Sequence, residues 1–286
     1  MSSDPEVCAA AASDAYTNRP GGASSMPTDV YLSGHRYEVF DYEADSSGFH
    51  GTAYIDRETN EIIVAYRGTD PDFKHHPLTA ARDIGADYTM VRDRLNPQEK
   101  AARDFTARVI DTAKANGISL DHVTLVGHSL GGALVEIESS KFNLPGITFN
   151  SYGAVDLGYG LPEGGDRVTN YVMAGDPVSA ASHHHGQMVA LASDQDVERL
   201  RGARYLDAPA DGIAPNPLLA MSLGDHSITW FIGPNSVLKP ENMAQAMRNY
   251  AQSKPAIDHF RGDVYDSRAE LALALNITEH LNLEST

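Results

Sequence analysis

Residues Val123 to Leu134 read VTLVGHSLGGAL, a serine set between glycines where a β-branched apolar run gives way to a helix-forming one. A glycine-rich junction of this kind is at minimum a turn. It is also what a serine nucleophile needs, because a hydroxyl exposed at the end of a sheet must sit on a sharp corner between strand and helix. Small residues are then required two positions before and two after it, where the chain meets its neighbours. Gly127 and Gly131 hold those places around Ser129, between VTLV and GALVEIESS.

A serine hydroxyl is a poor nucleophile near neutrality and needs a base, itself oriented by an acid. In elbow-bearing hydrolases these follow in the order serine, acid, histidine. The strand-like ITFNSYGA leads to Asp156, and the next strand-like run, RVTNYVMAG, runs directly into Asp176. Asp176 is the favoured acid and Asp156 its rival. Asp176 also suits a helix N-cap or Asx-turn before Pro177. The histidines after Asp176 are His183, His184, His185, His226 and His259. The triplet follows the acid too closely for a separate returning loop, and adjacent side chains cannot all point at one metal ion. His226, in LGDHSITWFI, leaves room for a further structural unit and is the favoured base, with His259 the alternative. His128 neighbours Ser129 and is expected to project away from it.

Acyl transfer also needs at least two donors for the oxyanion. The N–H of Leu130, at the start of a helix, is one candidate. The other is expected from the loop that closes EIIVAYRGTD, where Gly68-Thr69 lets the backbone approach closely.

The elements that must position these groups follow from periodicity. Ser3-x-x-Glu6 resembles a capping box that opens a helix over VCAAAASDAY, halted near Pro20-Gly21. HRYEVFDYEA alternates as a strand, and GFHGTAYID with EIIVAYRG reads as a hairpin across RETNE. NPQEKAARDFTARVIDTAKANG (Asn96 to Gly117) has helical spacing and an Asn-Gly stop. PENMAQAMRNYAQS and DSRAELALALNITEHLN read as two terminal helices, and GYGLPEGG as a loop. Strands alternating with helices predict an α/β chain with a mostly parallel sheet covered on both faces.

Composition narrows the classes. The chain has 286 residues, 42% of them hydrophobic, enough for an ordinary core. A formal charge of −17 gives no bulk attraction to nucleic acid or anionic lipid. The single cysteine, Cys8, permits no intramolecular disulfide and fits a reducing compartment. No run approaches the ~20 apolar residues of a membrane span, and the first residues do not read as a signal peptide. Synthesis in the cytoplasm is expected, with export by a leaderless route left open.

AYRGTD, DIGADYTM, VTLVGHSLGGAL, YVMAGDPVS and DHSITWF, in that order, resemble the class 3 (fungal-type) lipase family of α/β-hydrolases over about Ala10 to Trp230. The resemblance implies an α/β-hydrolase fold and hydrolysis of lipid acyl esters. It implies Ser129 as nucleophile, Asp176 as acid and His226 as base, with Thr69 and Leu130 forming the oxyanion hole. HHHGQMVAL is similar to a structural segment of that family. The lid position, PDFKHHPLTAARD (Pro71 to Asp83), is short and weakly apolar here, which favours a glycerophospholipid or smaller acyl ester over triglyceride droplets.

The expected organisation is therefore a lipase-like domain over residues 1–240 and a C-terminal helical extension over 241–286, packed on the same domain. The expected activity is a serine ester hydrolase of lipase or phospholipase A type, with no metal or other cofactor. The expected partner is a lipid or acyl ester, with a transient membrane or micelle surface allowed, and no nucleic acid. Triglyceride, phospholipid and small ester stay open, as do sn-1 against sn-2 and the oligomeric state. The alternatives are a small-ester esterase or thioesterase, and a silent binding module on the same scaffold.

Overall fold

The computed structural model describes residues 4–19, 29–68, 88–206 and 212–271. Its frame is one eight-stranded sheet whose strands follow one another in chain order. The strands are β1 (Asp29–Leu32), β2 (His35–Ala44), β3 (His50–Ile55), β4 (Ile62–Tyr66), β5 (Val123–His128), β6 (Gly146–Phe149), β7 (Gly164–Met173) and β8 (His185–Leu191). β1 to β4 form an antiparallel meander. From β4 to β8 each pairing is parallel. Parallel strands end at one edge, so β4, β5, β6 and β7 deliver the segments that follow them to the same place.

Helices cover both faces, and β4 shows why its residues are apolar without alternation. Ile62, Val64 and Tyr66 enter one core with Phe105, Val109 and Leu134, whereas Ile63 and Ala65 enter the other with Val7, Cys8 and Phe231. A strand buried on both sides reads as a continuous apolar run. The first core lies under α2 (Tyr88–Ala115) and α3 (Leu130–Phe142). The second lies under α1 (Pro5–Asp14), whose alanines let the helix approach the sheet.

Several boundaries depart from the expected ones. α1 is capped by Asp4, whose carboxylate accepts the N–H of Glu6, with Pro5 at the first helical position. It ends at Asp14, well before Pro20. α2 begins at Tyr88 rather than Asn96 and carries Pro97 inside it. β6 stops at Phe149 because Asn150 turns to φ 43° and spends its side chain on neighbouring turns. Gly164 and Gly165 belong to β7, and HGQMVAL forms the edge strand β8.

The short α4 (Pro177–Ala180) lies between β7 and β8, and beyond β8 come α5 (Asp194–Gly202), α6 (Pro217–Ala220) and α7 (Pro240–Asp266). α7 runs through Pro255 instead of breaking there. Ala256, Ile257, Phe260 and Val264 continue its apolar stripe into a third core with Leu200, Ala203 and Tyr205. That burial offsets the hydrogen bond a proline removes. Past Leu271, the second expected terminal helix lies outside the described residues.

Candidate active site

Ser129 sits between β5 and α3 at φ 58° and ψ −129°, a backbone conformation that costs a side-chain-bearing residue energy. The corner is held by close backbone approaches that exclude side chains. A Cβ on Gly127 would collide with the carbonyl of Gly131, and one on Gly131 would collide with the carbonyl of Tyr66 at the end of β4. Gly68, just past β4, lies so near that its Cβ would stand 3.1 Å from the Ser129 Cβ.

The structure brings three of the predicted residues together. Ser129 Oγ is 2.9 Å from His226 Nε2. His226 Nδ1 is 3.1 and 3.2 Å from the two carboxylate oxygens of Asp176. An ionised carboxylate only accepts, so Nδ1 carries the proton and Nε2 is left to accept from the serine hydroxyl. All three side chains are buried. His226 closes a 3₁₀ turn over Leu223–His226, and a second such turn, Ile228–Phe231, anchors it by burying Phe231.

Asp176 also caps α4, accepting the N–H groups of Val178 at 3.0 Å and Ser179 at 3.1 Å. The capping role and the contact with His226 thus coexist on one side chain. Burial pushes its carboxyl upward, but the His226 ring and the hydrogen bonds outweigh that and hold it below the ordinary value. α7 braces the same short helix: Arg261 donates to the Ser179 carbonyl at 2.8 Å and to its hydroxyl at 3.2 Å.

The rival groups are engaged elsewhere. Asp156 accepts from the N–H of His183 at 3.0 Å, faces its Nδ1 at the same distance and accepts from Ser182 Oγ. His259 is exposed on α7 beside Asp263, with Tyr205 against its ring. Leu130 is the first residue of α3, directly after Ser129. Thr69 and the lid segment Pro71 to Asp83 lie outside the described residues.

Sequence reasoning missed the supporting roles of His128, Tyr16, Asn150 and Glu136. His128 does not merely point away: its Nε2 donates to the His226 carbonyl at 2.7 Å, and its Nδ1 accepts from Tyr16 Oη at 2.9 Å. Burial first, and then the nearby His226 ring, lower its pKa to about 3, so it is neutral at physiological pH. The Asn150 amide donates to the Asp225 carbonyl at 2.6 Å and accepts the N–H of Met173 at 2.8 Å. Glu136 on α3 is fully buried, accepting from the N–H groups of Ala154 and His185 and facing His184 Nδ1 at 2.9 Å. A glutamate inside the apolar run ALVEIE was the available signal for it.

A parallel sheet with a strand–serine–helix corner at its carboxyl edge, and a histidine and an acid converging there, defines an α/β-hydrolase. Residues 7–211 match the Tle-like phospholipase domain of the phospholipase-like group, and the chain belongs to that family. It is a lipid-ester hydrolase. Similar solved structures include a mono- and diacylglycerol lipase from Aspergillus oryzae, 16% identical, covering 82% of this chain and 96% of that one at a TM-score of 0.44. The Rhizomucor miehei triacylglyceride lipase is 13% identical over 67% and 80% of the two chains, with a TM-score of 0.45. A triacylglycerol lipase from Penicillium expansum is 17% identical over 66% and 78%, at 0.41. No curated protein matches the chain.

Proposed function

We propose that Ser129 is the nucleophile of this hydrolase, with His226 as its general base and Asp176 as the acid that orients the base. The supporting observation is the unbroken contact from Ser129 Oγ through both nitrogens of His226 to the Asp176 carboxylate. Ser129 attacks the ester carbonyl as its proton passes to His226 Nε2. The N–H groups of Thr69 and Leu130 hold the resulting oxyanion. The imidazolium then returns its proton to the departing alcohol, and water activated by the same histidine releases the acyl group.

The substrate on this reading is the acyl ester of a glycerophospholipid, with phospholipase A activity. The family match to a phospholipase domain and the weakly apolar lid sequence support that choice over triglyceride. Residues 241–286 belong to the same hydrolase unit as an extension, a reading supported by the packing of α7 on α5 and by the grip of Arg261 on α4. Contact with a membrane or micelle surface is transient.

The test incubates wild type and Ser129→Ala with phospholipid and triglyceride carrying distinct sn-1 and sn-2 chains, with products identified by mass spectrometry. Fatty acid released from phospholipid by wild type alone supports the reading, and the chain released names the position attacked. Release by Ser129→Ala at the wild-type rate would sink the nucleophile. Release only from small esters would move the substrate to an esterase class.

A further inference from the structure

Behind the contact between Asp176 and His226 lies a charged group that this mechanism does not use. Arg199, on α5, donates from Nη2 to Asp225 Oδ2 at 2.6 Å and, from the same nitrogen, to Asp196 Oδ1. Both carboxylates are almost wholly buried. Asp225 directly precedes His226, and both carboxylates close on Gly175, which directly precedes Asp176. A Cβ on Gly175 would collide with Asp225 Oδ2 and stand 2.5 Å from Asp196 Oδ1. The two turns also share backbone, since the Ser222 N–H donates to the Gly175 carbonyl at 2.9 Å. Asp196 is anchored to α5 by the N–H and hydroxyl of Ser193, at 2.7 and 2.8 Å.

One guanidinium cannot neutralise two buried carboxylates, so the group is short of one positive charge unless it keeps a proton. Burial first, and then the neighbouring Asp196, push the Asp225 carboxyl well above the ordinary carboxylate range. The charged groups facing it are Asp196 and Arg199 from α5, while Asp176 follows Gly175 and His226 follows Asp225 in the chain. Ser222 supplies a neutral hydrogen bond.

We propose that Asp196, Asp225 and Arg199 form a proton-holding clamp that positions His226 against Asp176. The three are positioning residues, and their role rests on the serine mechanism proposed above. While the carboxyl pair keeps its proton, the base turn is drawn onto the acid turn across Gly175. Loss of that proton leaves two carboxylates in contact against Gly175, at the junction of the acid turn and the base turn. Their repulsion pushes the His226 turn away from its acid.

The experiment follows the rate of fluorophosphonate labelling at Ser129, and kcat and KM on a soluble acyl ester, from about pH 6 to about pH 10. Wild type, Asp225→Asn, Asp196→Asn and the exposed α5 control Glu198→Gln are compared. The wild-type labelling rate and kcat are expected to fall by roughly tenfold to a hundredfold on the alkaline side of this range, KM changing little. Either Asn variant removes the charge conflict and abolishes this alkaline fall, whereas Glu198→Gln keeps it. A flat wild-type profile, or an unchanged fall in a folded Asn variant, overturns the clamp. Should neither Asn variant fold, carboxyl carbon-13 resonances of wild type decide: a carboxyl titrating together with the labelling rate supports the clamp, and none titrating above about pH 6 overturns it. Absence of labelling at every pH would instead sink Ser129 as nucleophile, which separates the two failures.

Discussion

The imidazole of His128 donates to the main-chain carbonyl of His226 at 2.7 Å, so the residue beside Ser129 holds the backbone of the residue that faces its hydroxyl. Tyr16, two residues past the end of α1, completes the chain by donating to His128 Nδ1. The amino-terminal helix is thereby coupled to the base turn through two hydrogen bonds. Tyr16→Phe removes one of them, worth about 1 kcal/mol. The expected result is a kcat lower by about threefold to tenfold with little change in KM, read by steady-state kinetics.

The same histidine makes stability depend on pH in a defined direction. His128 is neutral in the fold down to about 3, while the unfolded chain titrates near the ordinary value of 6.5. Between those values the unfolded state binds a proton that the folded state refuses, so stability is lost as pH falls below about 6.5. His128→Gln keeps a donor for the carbonyl but cannot titrate. Its melting temperature is expected to fall less steeply with acid than that of wild type, and parallel slopes would refute the assignment.

The two candidate acids separate by substitution. Asp176→Asn keeps the shape and much of the α4 cap but no longer fixes the His226 tautomer. A loss in kcat of about 10³- to 10⁴-fold is expected. Asp156→Asn alters contacts with the Ser182–His183 loop and Tyr265, away from Ser129, and should retain most activity. The reverse pattern would exchange the two assignments.

Ser129 combines a strained backbone with the proposed nucleophile. Ser129→Gly relieves the positive φ, so the variant should be more stable by about 1 kcal/mol in urea unfolding while showing no turnover. An unchanged or lowered midpoint would mean that the corner carries no strain.

Glu136 ties α3 to the chain after α4. Glu136→Ala leaves the N–H groups of Ala154 and His185 without their acceptor and His184 Nδ1 with only Ser151 Oγ at 3.3 Å. A loss of about 3 kcal/mol is expected from chemical denaturation, with any folded fraction still labelled at Ser129.

What the sequence by itself determined was local. The glycine spacing around Ser129, the apolar runs of β4 and β5 and the order serine, acid, histidine are properties of short segments, and the elements they imply lie close to their expected places. Even the cap at Asp176 was legible, because it follows from its place after a strand and before Pro177, and the same place puts its carboxylate against His226. Distances between segments were not legible. Ser129 and His226 lie 97 residues apart, and only the parallel register of β4 to β7 brings their turns to one sheet edge. The buried supports were hidden for the same reason. Glu136, His128, Asn150 and Arg199 look like ordinary polar residues until packing removes water from around them. A buried hydrogen bond or charge then takes its strength from partners that the fold alone supplies.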